Sequence, residues 1–320
     1  MMDGSGHSKN KPLDPGKFND QFVTADGERR AQVSLKKLKT LWINTGTLCN
    51  LTCKNCYIES SPMNDRLSFI KIGEVEAYLD EIRLNECATE EIGFTGGEPF
   101  MNPDIIPMLE MTLSRGFRVL VLTNAMKPMQ HQKEALQKLR VKFKDQLIIR
   151  VSVDHYTRDL HEAERGPGSW GSMLEGLTWL CRNNFKFDVA GRTPWGEGEG
   201  EMRANYGEFL TAQGIELDEN DPARLVLFPE MDERLDVPEI TDKCWSILGV
   251  NPDSLMCASS RMIIKRKGAV KPAVVSCTLL PYERKFELGT TLREASKTVP
   301  LNHPHCARFC VLGGGSCSES

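Results

Sequence analysis

The segment Cys49-Asn50-Leu51-Thr52-Cys53-Lys54-Asn55-Cys56 places three cysteines within eight residues, and some forty residues later the chain reads Gly96-Gly97-Glu98-Pro99. Three thiolates at this spacing can ligate three irons of a 4Fe-4S cube and leave the fourth iron without a protein ligand. In the second segment, glycines allow the backbone to approach a ligand closely, and Glu98 offers a carboxylate to a cation. We therefore expect the three cysteines to be metal ligands and the open iron to carry the chemistry.

A structural zinc site and a ferredoxin-type electron carrier are the alternatives for the cysteine loop. A structural zinc site is closed by four ligands, and no His or fourth Cys lies near this loop in sequence, although a distant ligand stays possible. A ferredoxin loop would read C-x2-C-x2-C-x3-C with a following Pro, which this chain lacks.

The two motifs, in this order and each at the end of a predicted strand, resemble those of the radical S-adenosylmethionine (SAM) superfamily. The resemblance implies that the amino and carboxylate groups of SAM's methionine part chelate the open iron. It also implies that Gly96, Gly97, Glu98 and Pro99 receive the amino group. The family commonly has an aromatic residue directly before the third cysteine, whereas this chain has Asn55 there and Tyr57 after it.

The bulk composition is that of an ordinary globular protein. The chain has 320 residues, 40% of them hydrophobic, a formal charge of -4 and a pI near 6.0, which argues against a dedicated nucleic-acid binder. No apolar run approaches the ~20 residues of a membrane helix, and the polar start lacks the apolar core of a signal peptide. We expect a cytoplasmic protein whose eleven cysteines stay reduced, with Cys87 and Cys181 as ordinary half-buried thiols.

Short β-rich runs alternate with amphipathic helical stretches from residue 39 onward. This alternation predicts an α/β fold, a partial (β/α)6 TIM-like barrel with a small C-terminal cysteine-rich auxiliary-cluster domain. We expect a flexible segment over residues 1–34, the barrel over 35–240 and the auxiliary-cluster domain over 241–320. The predicted strands are Thr40–Asn44, Glu91–Phe94, Arg118–Leu122, Leu147–Val153, Phe185–Ala190 and Arg224–Phe228. The predicted helices are Ile72–Asn85, Pro103–Ser114, Gln130–Phe143, Ser172–Asn183 and Tyr206–Gln213, with Asn102 as the N-cap of the second.

Polar residues follow several of these strands, at the end where barrels of this kind gather their active sites. Members of the family bind the ribose and the methionine carboxylate of SAM from matching positions. The resemblance therefore implies SAM-binding roles for Ser152, Asp154 and Arg192, and the neighbouring Thr123 and Asn124 are expected at the same mouth. Without the resemblance, these residues would indicate turns and a solvated Arg. The alternating Gly196–Glu201 segment indicates a solvated loop rather than a lid.

The C-terminal cysteines resemble the SPASM or twitch extensions that follow many radical SAM barrels. A basic turn over residues 265–268 predicts a hairpin that brings Cys257 and Cys277 together. The expected ligands of a second, auxiliary 4Fe-4S cluster are Cys257, Cys277, Cys306 and Cys310, with Cys317 as the substitute. A zinc ribbon of Cys257, Cys277, Cys306 and either Cys310 or His305 is the alternative.

Together these patterns predict a radical SAM oxidoreductase. The resemblance implies reductive cleavage of SAM to a 5′-deoxyadenosyl radical, which abstracts hydrogen from a peptide or a small biosynthetic intermediate. It also implies a net oxidation aided by the auxiliary cluster, with a flavodoxin or ferredoxin as reductant. The competing functions are an iron-sulfur electron-transfer protein and a zinc-stabilised binding module.

Overall fold

The computed structural model describes residues 11–229 and 231–315. Its strands are β1 (Gln32–Val33), β2 (Thr40–Asn44), β3 (Glu91–Thr95), β4 (Arg118–Thr123), β5 (Leu147–Ser152), β6 (Lys186–Arg192), β7 (Leu225–Phe228), β8 (Ser260–Ile264), β9 (Ala273–Val275), β10 (Glu287–Gly289) and β11 (Val299–Pro300). Its α-helices are α1 (Ile72–Leu84), α2 (Ile105–Ser114), α3 (Lys127–Gln130), α4 (Lys133–Phe143), α5 (Arg158–Arg165), α6 (Ser169–Arg182), α7 (Glu199–Ala212), α8 (Cys244–Leu248) and α9 (Met256–Ser259). A π-helix spans Cys306–Leu312.

Six parallel strands, β2 to β7, lie side by side in chain order, with at least one helix in every connection. All five residues of both β2 and β3 are buried, as expected for a parallel sheet covered by helices. β8 extends the sheet parallel to β2, and β9 and β10 follow antiparallel. In the described chain β7 and β10 are the sheet edges, so the barrel is open. The predicted α/β partial barrel is confirmed, with strand bounds within two residues of the expected ones.

The helical predictions need correction at several places, and α6 begins at Ser169 rather than Ser172. α5 was not predicted at all. α7 begins at Glu199 rather than Tyr206, because Glu199 and Glu201 in its first turn favour a helix N-terminus and Glu199 pairs with Arg203 at 2.9 Å. The expected loop over Gly196–Glu201 is therefore half helical.

The predicted N-cap of α2 is also wrong. The helix begins at Ile105 with Asp104 before it. Asn102 is buried and donates from Nδ2 to the carbonyl oxygens of Thr45 and Ile70, both at 2.9 Å. Its side chain therefore ties the start of the cysteine loop to the approach to α1.

The segment from residue 11 to residue 34 differs from the flexible segment expected there, while residues 1–10 lie outside the described part. Arg30 is fully buried and pairs with Glu239 at 2.5 Å, and β1 pairs with β11. A buried cation needs such a partner, which fixes this segment against the C-terminal region.

The C-terminal region shares the barrel sheet. β8 and β9 form the expected hairpin, with Cys257 before β8 and Cys277 after β9. Across the two described ranges, no helix combines the length and apolar character that crossing a bilayer requires. The boundaries at residues 34 and 240 stay predictions.

Candidate active site

The carboxyl ends of strands β2 to β6 open onto one pocket. Its lining contains all three cysteines of the loop and seven of the other predicted site residues, which are Gly96, Gly97, Thr123, Asn124, Ser152, Asp154 and Arg192. Within the described chain, no fourth cysteine and no histidine lines this pocket. The structure thus gathers a three-thiol donor set at the mouth of the barrel.

Backbone N–H groups in and shortly after the cysteine loop donate hydrogen bonds to two of its sulfur atoms. The backbone N–H of Leu51 donates to Cys49 Sγ and that of Ser60 donates to Cys56 Sγ, each at 3.4 Å. Burial raises the pKa of Cys49 to about 12, and it also raises the pKa of Cys53. Because a metal binds the thiolate, loading this site would release protons. Backbone donors to sulfur are among the features that set the potential of an iron-sulfur cluster.

Gly96 and Gly97 are required by close packing against the start of the cysteine loop. A Cβ on Gly97 would lie 2.2 Å from the carbonyl oxygen of Leu48, and one on Gly96 would lie 2.5 Å from that of Gly46. Gly96 also has a φ of 135°, in the region that favours glycine. The N–H of Gly97 donates to Gly46 O at 2.8 Å, which joins the two motifs directly.

Glu98 lies behind the pocket wall and is 1% exposed. Its carboxylate accepts from Thr123 Oγ1 at 2.8 Å, Asn124 N at 2.9 Å and Phe100 N at 3.2 Å. Burial raises the pKa of Glu98 to about 7, although these hydrogen bonds act in the opposite direction. Glu98 is therefore positioned to organise the Thr123-Asn124 turn, and neither it nor Pro99 is part of the pocket lining.

Asn124 links Glu98 to the cysteine loop by hydrogen bonds. Its Nδ2 donates to Asn50 Oδ1 at 2.9 Å, between Cys49 and Cys53. The chain of contacts from Glu98 through Asn124 thus reaches the first interval of the cysteine motif.

Asp154 and Arg165 form a bidentate ion pair at the pocket, with distances of 2.7 and 3.0 Å. Burial alone would raise the pKa of Asp154, but the Arg165 guanidinium lowers it below the usual value. Arg165 also lines the pocket and acts electrostatically on Cys49 and Cys53. Sequence reasoning missed this cation because it missed α5.

Arg192 makes two hydrogen bonds within the protein through its Nη1 atom. It donates to Asn55 O at 3.0 Å and to Glu164 Oε1 at 2.7 Å. Glu164, like Arg165, belongs to the last turn of α5. Acidic Asp159 in the first turn, the Arg158–Glu162 pair four residues apart and the closing Gly166 were the signals that could have revealed this helix.

The C-terminal cysteines also gather. Cys257, Cys277 and Cys306 are buried and influence one another electrostatically, while Cys310 is buried on the same π-helix as Cys306. Burial raises the pKa of Cys257 to about 12. Cys317 lies outside the described residues. None of the cysteines in the described ranges forms a disulfide.

His303 and His305 approach Glu233, with Nε2 to Oε2 distances of 3.4 and 4.0 Å. Burial lowers the pKa of His303 to about 3, so its ring is neutral. Its Nδ1 accepts from the N–H of His305 at 3.1 Å, which leaves the proton on Nε2. His303 Nε2 therefore faces the Glu233 carboxylate as a hydrogen-bond donor.

Apolar residues separate the pocket from the C-terminal cysteines. Leu279 lines the pocket, and its backbone N–H acts on the Cys277 sulfur two residues earlier. Phe228, also in the lining, stacks on buried Phe309 at 5.9 Å between ring centroids. Phe309 lies between Cys306 and Cys310 in the chain, so the pocket wall backs onto the second cysteine cluster.

Several known proteins resemble this chain. The biosynthesis protein AlbA for the antilisterial bacteriocin subtilosin, from Bacillus subtilis, is 34% identical over 143 residues, which are 44% of this chain and 30% of AlbA. An AdoMet-dependent heme synthase from Methanosarcina barkeri is 27% identical over 144 residues, 44% of this chain and 38% of the synthase. The chain therefore spans well under half the length of these relatives.

Two groups of solved structures share the fold. Streptococcus suis SuiB, solved with its precursor peptide SuiA, gives a TM-score of 0.57 at 13% identity and covers 80% of this chain and 63% of SuiB. The protein anSMEcpe, solved with AdoMet and the Kp18Cys peptide, gives 0.55 at 14% identity and covers 81% of this chain and 80% of that one.

The sequence model of the radical SAM superfamily matches residues 43–204, just over half of the chain, from within β2 to within α7. This range contains the cysteine loop, the Gly96–Pro99 segment and α5. The protein belongs to the radical SAM superfamily.

Proposed function

We propose that this protein is a radical SAM oxidoreductase that holds a 4Fe-4S cluster with Cys49, Cys53 and Cys56 and acts on a peptide. The observation that carries the proposal is the three-thiol pocket with no further Cys or His in its described lining. Three sulfur ligands fit a cube with one open iron, whereas a closed zinc site needs a fourth ligand. A cluster bound there would supply the one electron that cleaves the C–S bond of SAM into methionine and a 5′-deoxyadenosyl radical, the species that would abstract hydrogen from the substrate.

The chain's own residues would bind and orient SAM around this cluster. Arg165 offers a guanidinium to a carboxylate at the pocket surface, and buried Asp154 fixes the orientation of that guanidinium. Ser152 offers a hydroxyl from the end of β5. Gly96 and Gly97 present backbone at the pocket wall, where a side chain would clash with the cysteine loop. These SAM-binding roles are proposals for the residues named.

A second 4Fe-4S cluster is proposed at Cys257, Cys277, Cys306 and Cys310. The mutual proximity of the first three thiols and the burial of the fourth support a shared site. Its place behind Leu279 and Phe228 suits an acceptor for the electron left on a substrate radical, which would make the net reaction an oxidation. Cys317 remains the proposed substitute ligand.

A peptide is the proposed substrate class. SuiB and anSMEcpe were solved with peptides, and AlbA carries the name of a bacteriocin biosynthesis protein. The pocket lining includes Phe228, Met231 and Leu279, which suit an apolar side chain. The flavodoxin or ferredoxin reductant and the cytoplasmic location are part of the same proposal.

Anaerobic purification, iron and sulfide analysis and an assay for 5′-deoxyadenosine from SAM and dithionite test the proposal. We expect about eight irons per chain for two cubes, or about four for one, together with SAM cleavage. An iron-loaded protein that leaves SAM intact would instead support electron transfer. A colourless zinc protein would support a binding module.

A further inference from the structure

The part of the cysteine loop between Cys53 and Cys56 is held by the last turn of α5. The backbone N–H of Lys54 donates to the carbonyl oxygen of Glu164 at 2.8 Å. Asn55 donates twice to the Glu164 carboxylate at 2.9 Å, from its backbone N to Oε1 and from its side-chain Nδ2 to Oε2. Glu164 therefore accepts three hydrogen bonds from the loop, one from Lys54 and two from Asn55.

Glu164 is 4% exposed, so its carboxylate needs polar partners that replace the lost water. Arg192 supplies it, since Nη1 contacts Glu164 Oε1 at 2.7 Å and also donates to Asn55 O at 3.0 Å. Asn55 thus donates to Glu164 from its backbone N and its Nδ2, and its backbone oxygen accepts from Arg192. Hydrogen bonds that include a charged group are about twice as strong as neutral ones.

We propose that Glu164 is a positioning residue that acts through Asn55 to hold the Cys53–Cys56 segment in its ligating geometry before a cluster is bound. The proposal rests on the proposed function for what the loop holds, and on the contacts above for the clamp itself. Asn55 takes the position where the family commonly has an aromatic residue, so this chain replaces packing at that point with a carboxylate–amide pair.

The clamp is connected to the pocket through the adjacent residue. Arg165 pairs with Asp154 and lines the pocket, whereas Glu164 faces the loop. Two consecutive residues of one helical turn thus have different roles: Glu164 holds the cysteine loop, and Arg165 places its guanidinium at the pocket. A shift of this turn would displace both.

A polarity exchange tests the clamp. In N55D a second carboxylate replaces the amide donor 2.9 Å from Glu164, and the like charges repel. In N55D/E164Q the carboxamide introduced on α5 can donate from its nitrogen to the carboxylate introduced in the loop, and its oxygen can accept the backbone N–H of that loop residue. Asn55 is exposed whereas Glu164 is buried beside Arg192, and the double variant keeps one carboxylate in the pair next to that guanidinium.

The matched control is E162Q. Glu162 lies on the same helix and accepts from Gly168 N at 3.0 Å, Arg158 Nε at 3.3 Å and Trp170 N at 3.4 Å, three donors that lie outside the cysteine loop. It reports what loosening α5 does on its own.

Hydrogen exchange of the metal-free protein, read by mass spectrometry on the peptide that contains residues 50–58, measures the clamp without SAM chemistry. We expect N55D to speed exchange of this peptide roughly ten- to a hundredfold, with wild-type protection restored in N55D/E164Q and retained in E162Q. After reconstitution, N55D should lose iron to a chelator at least ~10-fold faster than wild type, by the same reasoning.

Equal exchange in N55D and wild type, or failure of N55D/E164Q to recover, would overturn the clamp. Failure of the wild type to bind iron would instead refute the proposed function, while exchange in the metal-free protein would still decide the clamp.

Discussion

Replacing Gly97 with Ala adds one methyl group where the two motifs touch. Its Cβ would lie 2.2 Å from the carbonyl oxygen of Leu48, and real Cβ atoms essentially never approach another heavy atom closer than 3.0 Å. The obstacle is backbone rather than a flexible side chain, so the cysteine loop or the Gly96–Pro99 segment must move by about 1 Å. Overpacking of this kind costs about 1–3 kcal/mol of unfolding free energy. A 1 Å misplacement in a reactive site can lower its rate about a hundredfold.

The assay compares G97A with G171A in urea unfolding and in 5′-deoxyadenosine formation. Gly171 lies at an exposed position on α6 with no heavy atom within 4 Å of an added Cβ, so G171A should gain about 0.5–1 kcal/mol and retain SAM cleavage. A G97A protein with wild-type stability and wild-type SAM cleavage would show that the two motifs do not depend on this contact.

Three further changes test other parts of the account. In metal-free protein, the pKa of Glu98 is about 7, against 4.5 in the unfolded chain, so the free energy of unfolding should fall by about 3 kcal/mol between pH 4.5 and 7. E98Q should lose this fall in calorimetry. An E98Q profile identical to that of wild type would contradict the prediction. R165M leaves Asp154 buried without its cation, so denaturant unfolding should show a loss of about 3–5 kcal/mol that D154N/R165M partly recovers; equal stability of R165M and wild type would contradict the pair. C257A/C277A should remove about four irons and leave the first cluster's spectrum, and retention of all iron would refute that site.

The barrel could be predicted from the sequence because most of its strands have short apolar centres, such as Leu41–Ile43 in β2 and Val119–Leu122 in β4. β2 to β6 are buried on both faces along most of their length, and such runs stand out from the amphipathic helices between them. The cysteine loop and the Gly96–Pro99 segment follow the first two of these strands, so barrel topology alone places them at one mouth.

The polar network around the loop could not be predicted in the same way. α5 is short and strongly charged, so it contains no apolar run that would indicate a helix. Because this helix was not predicted, the roles of Glu164 and Arg165 were not predicted either. Glu98 accepts one hydrogen bond from neighbouring Phe100, but its other two donors, Thr123 and Asn124, are 25 and 26 residues away in sequence. Such partners are set by strand order and loop packing, which local patterns do not encode.

The central claim is that three cysteines hold a cluster with one iron open to SAM. The most direct measurement compares wild type with C49A/C53A/C56A, both purified and reconstituted anaerobically, for iron content and for 5′-deoxyadenosine formed from SAM and dithionite. The account predicts that the triple variant lacks about four irons and forms no 5′-deoxyadenosine. SAM cleavage by the triple variant would contradict it.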